Sequence, residues 1–124
     1  MPNNKKKILI VEDDQAISAM YKTKLESEGY EILTAGSGGE ALEIAKEKQL
    51  DLILLDIILP QLDGFSVLKE VKSGQKNKNT PVIMLTNLGT DEDRQKGKEL
   101  GAADYLVKAN LTPAQISEKI KKYL

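Results

Sequence analysis

Short apolar runs alternate along this chain with segments of helical pattern, and that alternation points to a parallel sheet with helices on both faces. Ile8–Val11, Leu52–Leu55 and Val82–Leu85 are apolar throughout. A strand that is apolar at every position is buried on both sides, so these three belong inside the sheet. The segment 30–34 (Tyr-Glu-Ile-Leu-Thr) is mixed and Tyr105–Val107 is short, which suits the two edges. Right-handed crossovers then select the strand order 2-1-3-4-5. The expected fold is α/β: a doubly wound, five-stranded parallel sheet of (βα)5 form, flavodoxin-like in its order.

The expected helices have readable ends. Ser37-Gly38-Gly39-Glu40 and Thr112-Pro113-Ala114-Gln115 both read as capping boxes, the second with proline in the first turn. Asp63-Gly64 and Thr90-Asp91 mark the starts of the third and fourth helices, and Gly29 and Gly101 stop the first and fourth. Ile116, Ile120 and Tyr123 or Leu124 give the last helix an apolar stripe. The polar stretch 74–79 reads as a mobile loop without a function. With 124 residues and no linker or repeat, residues 1–124 are expected to form one domain.

Composition removes several chemistries. There is no histidine and no cysteine, so Ser-His hydrolysis, disulfides, thiolate chemistry and most zinc sites are excluded. A net charge of -1 argues against a dedicated nucleic-acid binder, and Lys5-Lys6-Lys7 reads as a solubilising entry to the first strand. No apolar run is long enough to span a membrane, and Met1-Pro2-Asn3-Asn4 lacks a signal core. A cytoplasmic location is the expectation.

The chemistry lies just past the ends of the runs. Glu12-Asp13-Asp14 comes after Val11, Asp56 after Leu55, Thr86 after Leu85 and Lys108 after Val107. In an open parallel sheet, ligands bind beyond the carboxyl ends of the strands where the strand order reverses. These residues therefore converge on one pocket. Clustered carboxylates repel unless a cation compensates, and magnesium accepts one or two carboxylates together with waters and a phosphate. A carboxylate can take up a phosphoryl group, whose oxygens would be met by the metal, the Thr86 hydroxyl and the Lys108 ammonium. Singly, each residue has a plainer reading: Asp13 or Asp14 as a helix cap, Thr86 as a turn residue, Lys108 as a surface charge.

From Lys7 to Leu124 the chain resembles the response-regulator receiver domain of two-component signalling. The likeness rests on Ile8-Leu9-Ile10-Val11-Glu12-Asp13-Asp14, on Asp56-Ile57-Ile58-Leu59-Pro60-Gln61-Leu62-Asp63-Gly64, on Met84-Leu85-Thr86 and on Gly101-Ala102-Ala103-Asp104-Tyr105-Leu106-Val107-Lys108. The resemblance implies that Asp56 accepts the phosphoryl group. Asp13 would bind Mg2+ directly and Glu12 through water, with the Ile58 carbonyl as a further ligand and Mn2+ as a substitute ion. Thr86 and Lys108 would bind phosphoryl oxygens, and Tyr105 would turn inward as Thr86 moves. Tyr105 also reads simply as an edge aromatic covering the fifth helix.

The resemblance further implies a signalling switch rather than an enzyme with turnover, assisting its own phosphorylation and slow dephosphorylation. The phosphodonor would be a histidine kinase, a histidine phosphotransfer protein or a small phosphodonor. Output would pass to a partner through helix four, strand five and helix five, in a monomer or a phosphorylation-dependent dimer, with no direct nucleic-acid contact.

Three positions depart from the family pattern. Ala109 stands where proline usually follows the lysine, so the Lys108-Ala109 bond is expected to be trans or strained. Asn87 is larger than usual after the threonine and is expected to narrow donor access. Ile58 and Leu88 are apolar beside the phosphoryl position, where they are expected to hinder water. Among rival readings, Gly36-Ser37-Gly38-Gly39-Glu40-Ala41 fits the dinucleotide fingerprint, with Asp56 twenty residues beyond Gly36. It follows an edge strand, however, away from the reversal point. A dehalogenase-type phosphatase would need a second Asp where Ile58 stands, and no P-loop motif is present.

Overall fold

The computed structural model describes residues 5–124; residues 1–4, where no signal core is expected, lie outside the described residues. Strands β1 (Lys7–Val11), β2 (Glu31–Ala35), β3 (Leu52–Leu55), β4 (Val82–Thr86) and β5 (Asp104–Val107) form one parallel sheet in the order β2-β1-β3-β4-β5. The helices between and after them are α1 (Gln15–Ser27), α2 (Gly38–Glu47), α3 (Gly64–Ser73), α4 (Asp91–Glu99) and α5 (Pro113–Ile120). The expected fold class, strand order and choice of edges are those observed.

The all-apolar strands supply both cores because successive side chains point to opposite faces. Leu9, Val11, Ile53, Leu55, Val82 and Met84 pack beneath Ala41 and Ala45 of α2 and Phe65, Leu68 and Val71 of α3. Ile8, Ile10, Leu52, Leu54, Ile83 and Leu85 pack beneath Tyr21 and Leu25 of α1 and Ile116 and Ile120 of α5. Each buried aliphatic side chain contributes roughly 1.5–3 kcal/mol. Helix α4 differs: its sequence DEDRQKGKE buries only Gly97. It is held to the sheet by far less apolar surface than the other four.

Asp14, Ser37, Asp63, Thr90 and Thr112 cap the five α-helices through their side chains, so Asp14 rather than Asp13 serves as the first cap. Thr112 and Gln115 form a complete capping box. Ser37 does not: its hydroxyl accepts from the Glu40 N–H, but the Glu40 carboxylate reaches one residue further back and accepts from Gly36 N–H at 2.7 Å. Gly29 and Gly101 end α1 and α4 with φ of 95° and 99°, in the left-handed region where a Cβ is costly.

The stretch 74–79 is anchored rather than loose. Asn77 is 2% exposed, donates to the Ala45 and Lys48 carbonyls and accepts from Leu50 N–H and the Thr80 hydroxyl. A buried carboxamide with four protein partners fixes the loop to the amino end of the sheet.

Candidate functional site

Register places the polar residues before any side chain is considered. Val11 is level with Leu55 across β1 and β3, so Glu12 and Asp56 leave the sheet side by side. Thr86 is level with Val107 across β4 and β5, so Lys108 stands one residue beyond Thr86. Strands β1 and β3 lie together at the order reversal, which opens a crevice at that point.

Within the crevice, carboxylate oxygens of Glu12, Asp13 and Asp56 lie within 4.8 Å of one another, with Glu12 and Asp56 buried and Asp13 exposed. The Lys108 ammonium bridges the two buried acids, 2.6 Å from Asp56 Oδ2 and in close contact with Glu12 Oε1. The other Asp56 oxygen accepts from Ile57 N–H at 2.7 Å and Ile58 N–H at 3.4 Å. Glu12 Oε2 accepts from Asp14 N–H at 3.1 Å. Burial pushes the Glu12 carboxyl above the usual glutamate range, and Lys108 only partly offsets it. Burial alone would lower the Lys108 ammonium, but its hydrogen bonds to Asp56 and Glu12 carry it above the ordinary lysine value.

Gly64 makes this geometry accessible. A Cβ there would lie 2.1 Å from the Asp56 carbonyl oxygen, so only glycine lets α3 begin directly against the backbone that presents Asp56.

Thr86 is 1% exposed, and its hydroxyl accepts from Leu88 N–H at 3.3 Å. Tyr105 donates its hydroxyl to the Leu88 carbonyl in a short contact, and Arg94 lies over its ring at 5.0 Å. Its ring packs on the α2–α3–α4 side and approaches Gly97, so the expected cover of the fifth helix is corrected: Tyr105 covers α4. With so little apolar surface of its own, α4 borrows this ring.

The Lys108-Ala109 bond is trans, as expected from the absence of proline, and Lys108 opens a 3-10 turn over Lys108–Asn110. Ile58 projects at 61% exposure beside Asp56. One contact escaped the sequence reading: Asn87 Oδ1 accepts from Ala109 N–H at 2.9 Å, joining the segments after β4 and β5. The available signal was Ala109 itself, which keeps the N–H that proline lacks.

The glycines of the dinucleotide-like stretch have another use. A Cβ on Gly38 would meet the Leu62 carbonyl oxygen at 2.4 Å, and one on Gly39 the Gln61 side chain at 2.2 Å. They let the β3–α3 loop lie across the start of α2, on the edge-strand side of the molecule.

Residues 8–121 match the family model of the response regulator receiver domain. The chain belongs to that family. It is similar to the probable transcriptional regulator ycf27 of Cyanophora paradoxa, 43% identical over 124 residues that make up 100% of this chain and 50% of that protein. Thus the chain spans about half the length of the curated relatives it matches. Those relatives are named transcriptional regulators, whereas the charge balance here led to an expectation of no direct nucleic-acid contact.

Among solved structures, the chemotaxis protein CheY4 of Vibrio cholerae superposes with a TM-score of 0.91 at 35% identity, covering 97% of this chain and 99% of that one. The response regulator TrrA of Thermotoga maritima, solved in complex with Mg2+ and beryllium fluoride, gives 0.84 at 35% identity over 96% of this chain and 99% of that one. The receiver is accordingly a two-component signalling domain with an acidic pocket suited to Mg2+ and phosphorylation. No helix among the described residues is long and apolar enough to cross a membrane.

Proposed function

We propose that residues 1–124 act as one phospho-acceptor receiver in which Asp56 takes a phosphoryl group from a phospho-histidine on a histidine kinase or phosphotransfer protein. The observation that supports it most directly is the Asp56 carboxylate. It is buried among Glu12 and Asp13, and its Oδ2 is held by a lysine that can be exchanged for an incoming group.

The donor set fits a hard divalent ion: all oxygen, clustered within 4.8 Å, and partly open to solvent at Asp13. Asp13 and Asp56 would hold Mg2+ directly, Glu12 through water, and the Ile58 carbonyl would complete the protein ligands, with Mn2+ able to substitute. When bound, the ion offsets the negative charge of the acids and of the phosphoryl oxygens.

An Asp56 Oδ lone pair forms the new oxygen–phosphorus bond as the phosphorus–nitrogen bond of the donor breaks; the bonding pair goes to that nitrogen, and the imidazole leaves neutral because its other ring nitrogen already carries a proton. Lys108 transfers its ammonium from Asp56 to a phosphoryl oxygen, and Thr86 turns its hydroxyl from Leu88 to another. Because Leu88 is tied to Tyr105, movement at Thr86 reaches the ring beneath α4. Helix α4, with its single buried residue, is the element that can yield. Output then passes through α4, β5 and α5 to a partner or a second copy. The domain assists its own phosphorylation and slow hydrolysis, yet serves as a cytoplasmic switch without direct nucleic-acid contact.

Intact-protein mass spectrometry after incubation with acetyl phosphate or phosphoramidate tests this reading. A Mg2+-dependent gain of about 80 Da, one phosphoryl group, that disappears in Asp56→Asn is the expected result. No gain from these donors or from a phosphorylated cognate kinase would reduce the domain to an interaction module.

A further inference from the structure

Thr86, which ends β4, and the two residues after it are held by a chain of hydrogen bonds. Thr86 Oγ1 accepts from Leu88 N–H, Asn87 Oδ1 accepts from Ala109 N–H, and the Leu88 carbonyl accepts from Tyr105. The middle contact reaches the residue directly after Lys108. Ala109 is the next residue after that lysine, inside the 3-10 turn that closes with Leu111 N–H on the Lys108 carbonyl at 3.2 Å. A proline at position 109 could not make this bond, since it has no N–H to donate. Both Asn87 and Ala109 are exposed, so the contact adds little to the core.

We infer that Asn87 is a positioning residue that yokes the Thr86 segment to the Lys108 segment, so that the two phosphoryl-binding groups close on Asp56 as one unit. The inference rests on the reading of Asp56 as phosphoryl acceptor. It assigns Asn87 a role beyond filling the pocket entrance. Thr86 and Lys108 come from strands that pair through β4 and β5, but the groups themselves lie at or beyond the last paired residues, Thr86 and Val107. Past that point backbone pairing no longer fixes their separation. The Asn87 carboxamide supplies the missing link at 2.9 Å. With the link intact, drawing Thr86 toward a phosphoryl oxygen also carries the backbone that bears Lys108. Without it, each group is ordered separately, and bound geometry is less well prepared.

The test compares wild type with Asn87→Ala, Asn87→Leu, Ala109→Pro and Asn87→Ala/Ala109→Pro. The probes are Mg2+ alone, Mg2+ with beryllium fluoride as a phosphoryl mimic, and phosphoramidate for the phosphorylation rate. The Ala109 amide resonance and its hydrogen exchange report the contact in the metal-free protein. The expected result is a loss of about three- to tenfold in beryllium fluoride affinity and phosphorylation rate for both Asn87→Ala and Asn87→Leu. Mg2+ affinity stays at the wild-type value, because Asn87 touches no metal ligand. Adding Asn87→Ala to Ala109→Pro produces no further loss, since the donor is already gone.

Three outcomes overturn the inference: wild-type behaviour in both Asn87 variants, an equal further loss in the Ala109→Pro background, or a faster Ala variant beside a wild-type-like Leu variant. The last would mark Asn87 as a steric gate. If wild type itself took up neither phosphoryl nor beryllium fluoride while the Ala109 amide showed its hydrogen bond, the reading of Asp56 would fall and this inference with it.

Discussion

At the amino end of the sheet Asn77 and Thr80 are 2% and 4% exposed; at the carboxyl end Glu12 and Asp56 are 5% and 6% exposed. Burial is therefore nearly equal, but the partners differ in kind. Asn77 is neutral and its bonds go to backbone groups and to Thr80, which itself donates to the Leu50 carbonyl at 3.0 Å. Glu12 and Asp56 are acids that share one lysine and stand beside a third acid. The first arrangement is closed and can only hold; the second is short of positive charge and can accept a cation and a phosphoryl group. Two lysines repeat the contrast. Lys72, at the amino end, donates to the Thr80 carbonyl at 2.6 Å, and burial lowers its ammonium below the ordinary value. Lys108, between two carboxylates, is raised.

The largest effect is expected from opening the closed end. Asn77→Ala leaves Leu50 N–H and the Ala45 and Lys48 carbonyls without their partner. A loss of about 3 kcal/mol is expected, read as a lower urea midpoint at unchanged slope. The phosphorylation rate of the folded protein should stay as it is. A slower rate would show that the two ends are coupled.

Filling the open end comes next. Mg2+ at about a hundred times its dissociation constant should add about 2.7 kcal/mol to the stability of the wild type. Asp13→Asn should lose most of that gain, while its metal-free stability equals or exceeds wild type because one repelling charge is gone. Thermal unfolding with and without Mg2+ checks both statements. A variant that keeps the full gain would remove Asp13 from the metal site.

The same contrast decides how far each end was legible in the sequence. The carboxyl end was readable because its groups stand directly after strand ends, and parallel register brings distant residues together without any side-chain knowledge. Lys108 and Asp56, 52 positions apart, meet in this way. The closed end was not readable. Asn77 sits in a stretch of Gly, Gln, Lys and Asn that has the composition of a loose loop, and its backbone partners lie 27 to 32 residues away along the chain. Composition reports exposure on average and is blind to one buried amide. Local signals fared in between. Thr112 and Gln115 formed their box, but Glu40 reached past Ser37 to Gly36, because the extended backbone before α2 offered that N–H instead. Tyr105 was placed on the correct strand, yet the face it would cover depended on α4 having no apolar side chains to cover the sheet itself.

The two lysines offer a smaller test, in pH rather than in sequence. The lowered Lys72 value means the unfolded chain holds a proton there that the folded protein sheds first. Its contribution to stability therefore rises with pH in the window just below the unfolded value of about 10.4. The raised Lys108 value acts oppositely: its contribution is complete below that value and is lost as pH rises through the folded one. Urea unfolding of metal-free protein from neutral pH up to the unfolded lysine value of about 10.4 should show the Lys72 rise, and Lys72→Met should remove it. An unchanged pH profile in that variant would show that Lys72 is not the group responsible.

The smallest expected effect concerns the mouth of the open end, where the asymmetry between holding and exchanging is set by Ile58. Its side chain is 61% exposed beside the carboxylate that would carry the phosphoryl group, and Leu88 is half-buried two residues after Thr86. Neither side chain can hydrogen-bond a water lined up for attack on phosphorus, so neither would orient it. Ile58→Asn supplies a carboxamide at that mouth. One hydrogen bond gained in the transition state corresponds to an acceleration of about two- to tenfold in dephosphorylation. The decay of the adduct, about 80 Da for one phosphoryl group, measures it directly after donor removal. Phosphorylation should change less than hydrolysis, because a donor brings its own phosphoryl group already positioned, whereas water depends on the pocket for its orientation. An unaltered decay rate would mean that access at Ile58 does not limit hydrolysis. The lifetime of the phosphorylated state would then be set deeper in the site, by how firmly Lys108 and Thr86 hold the phosphoryl oxygens.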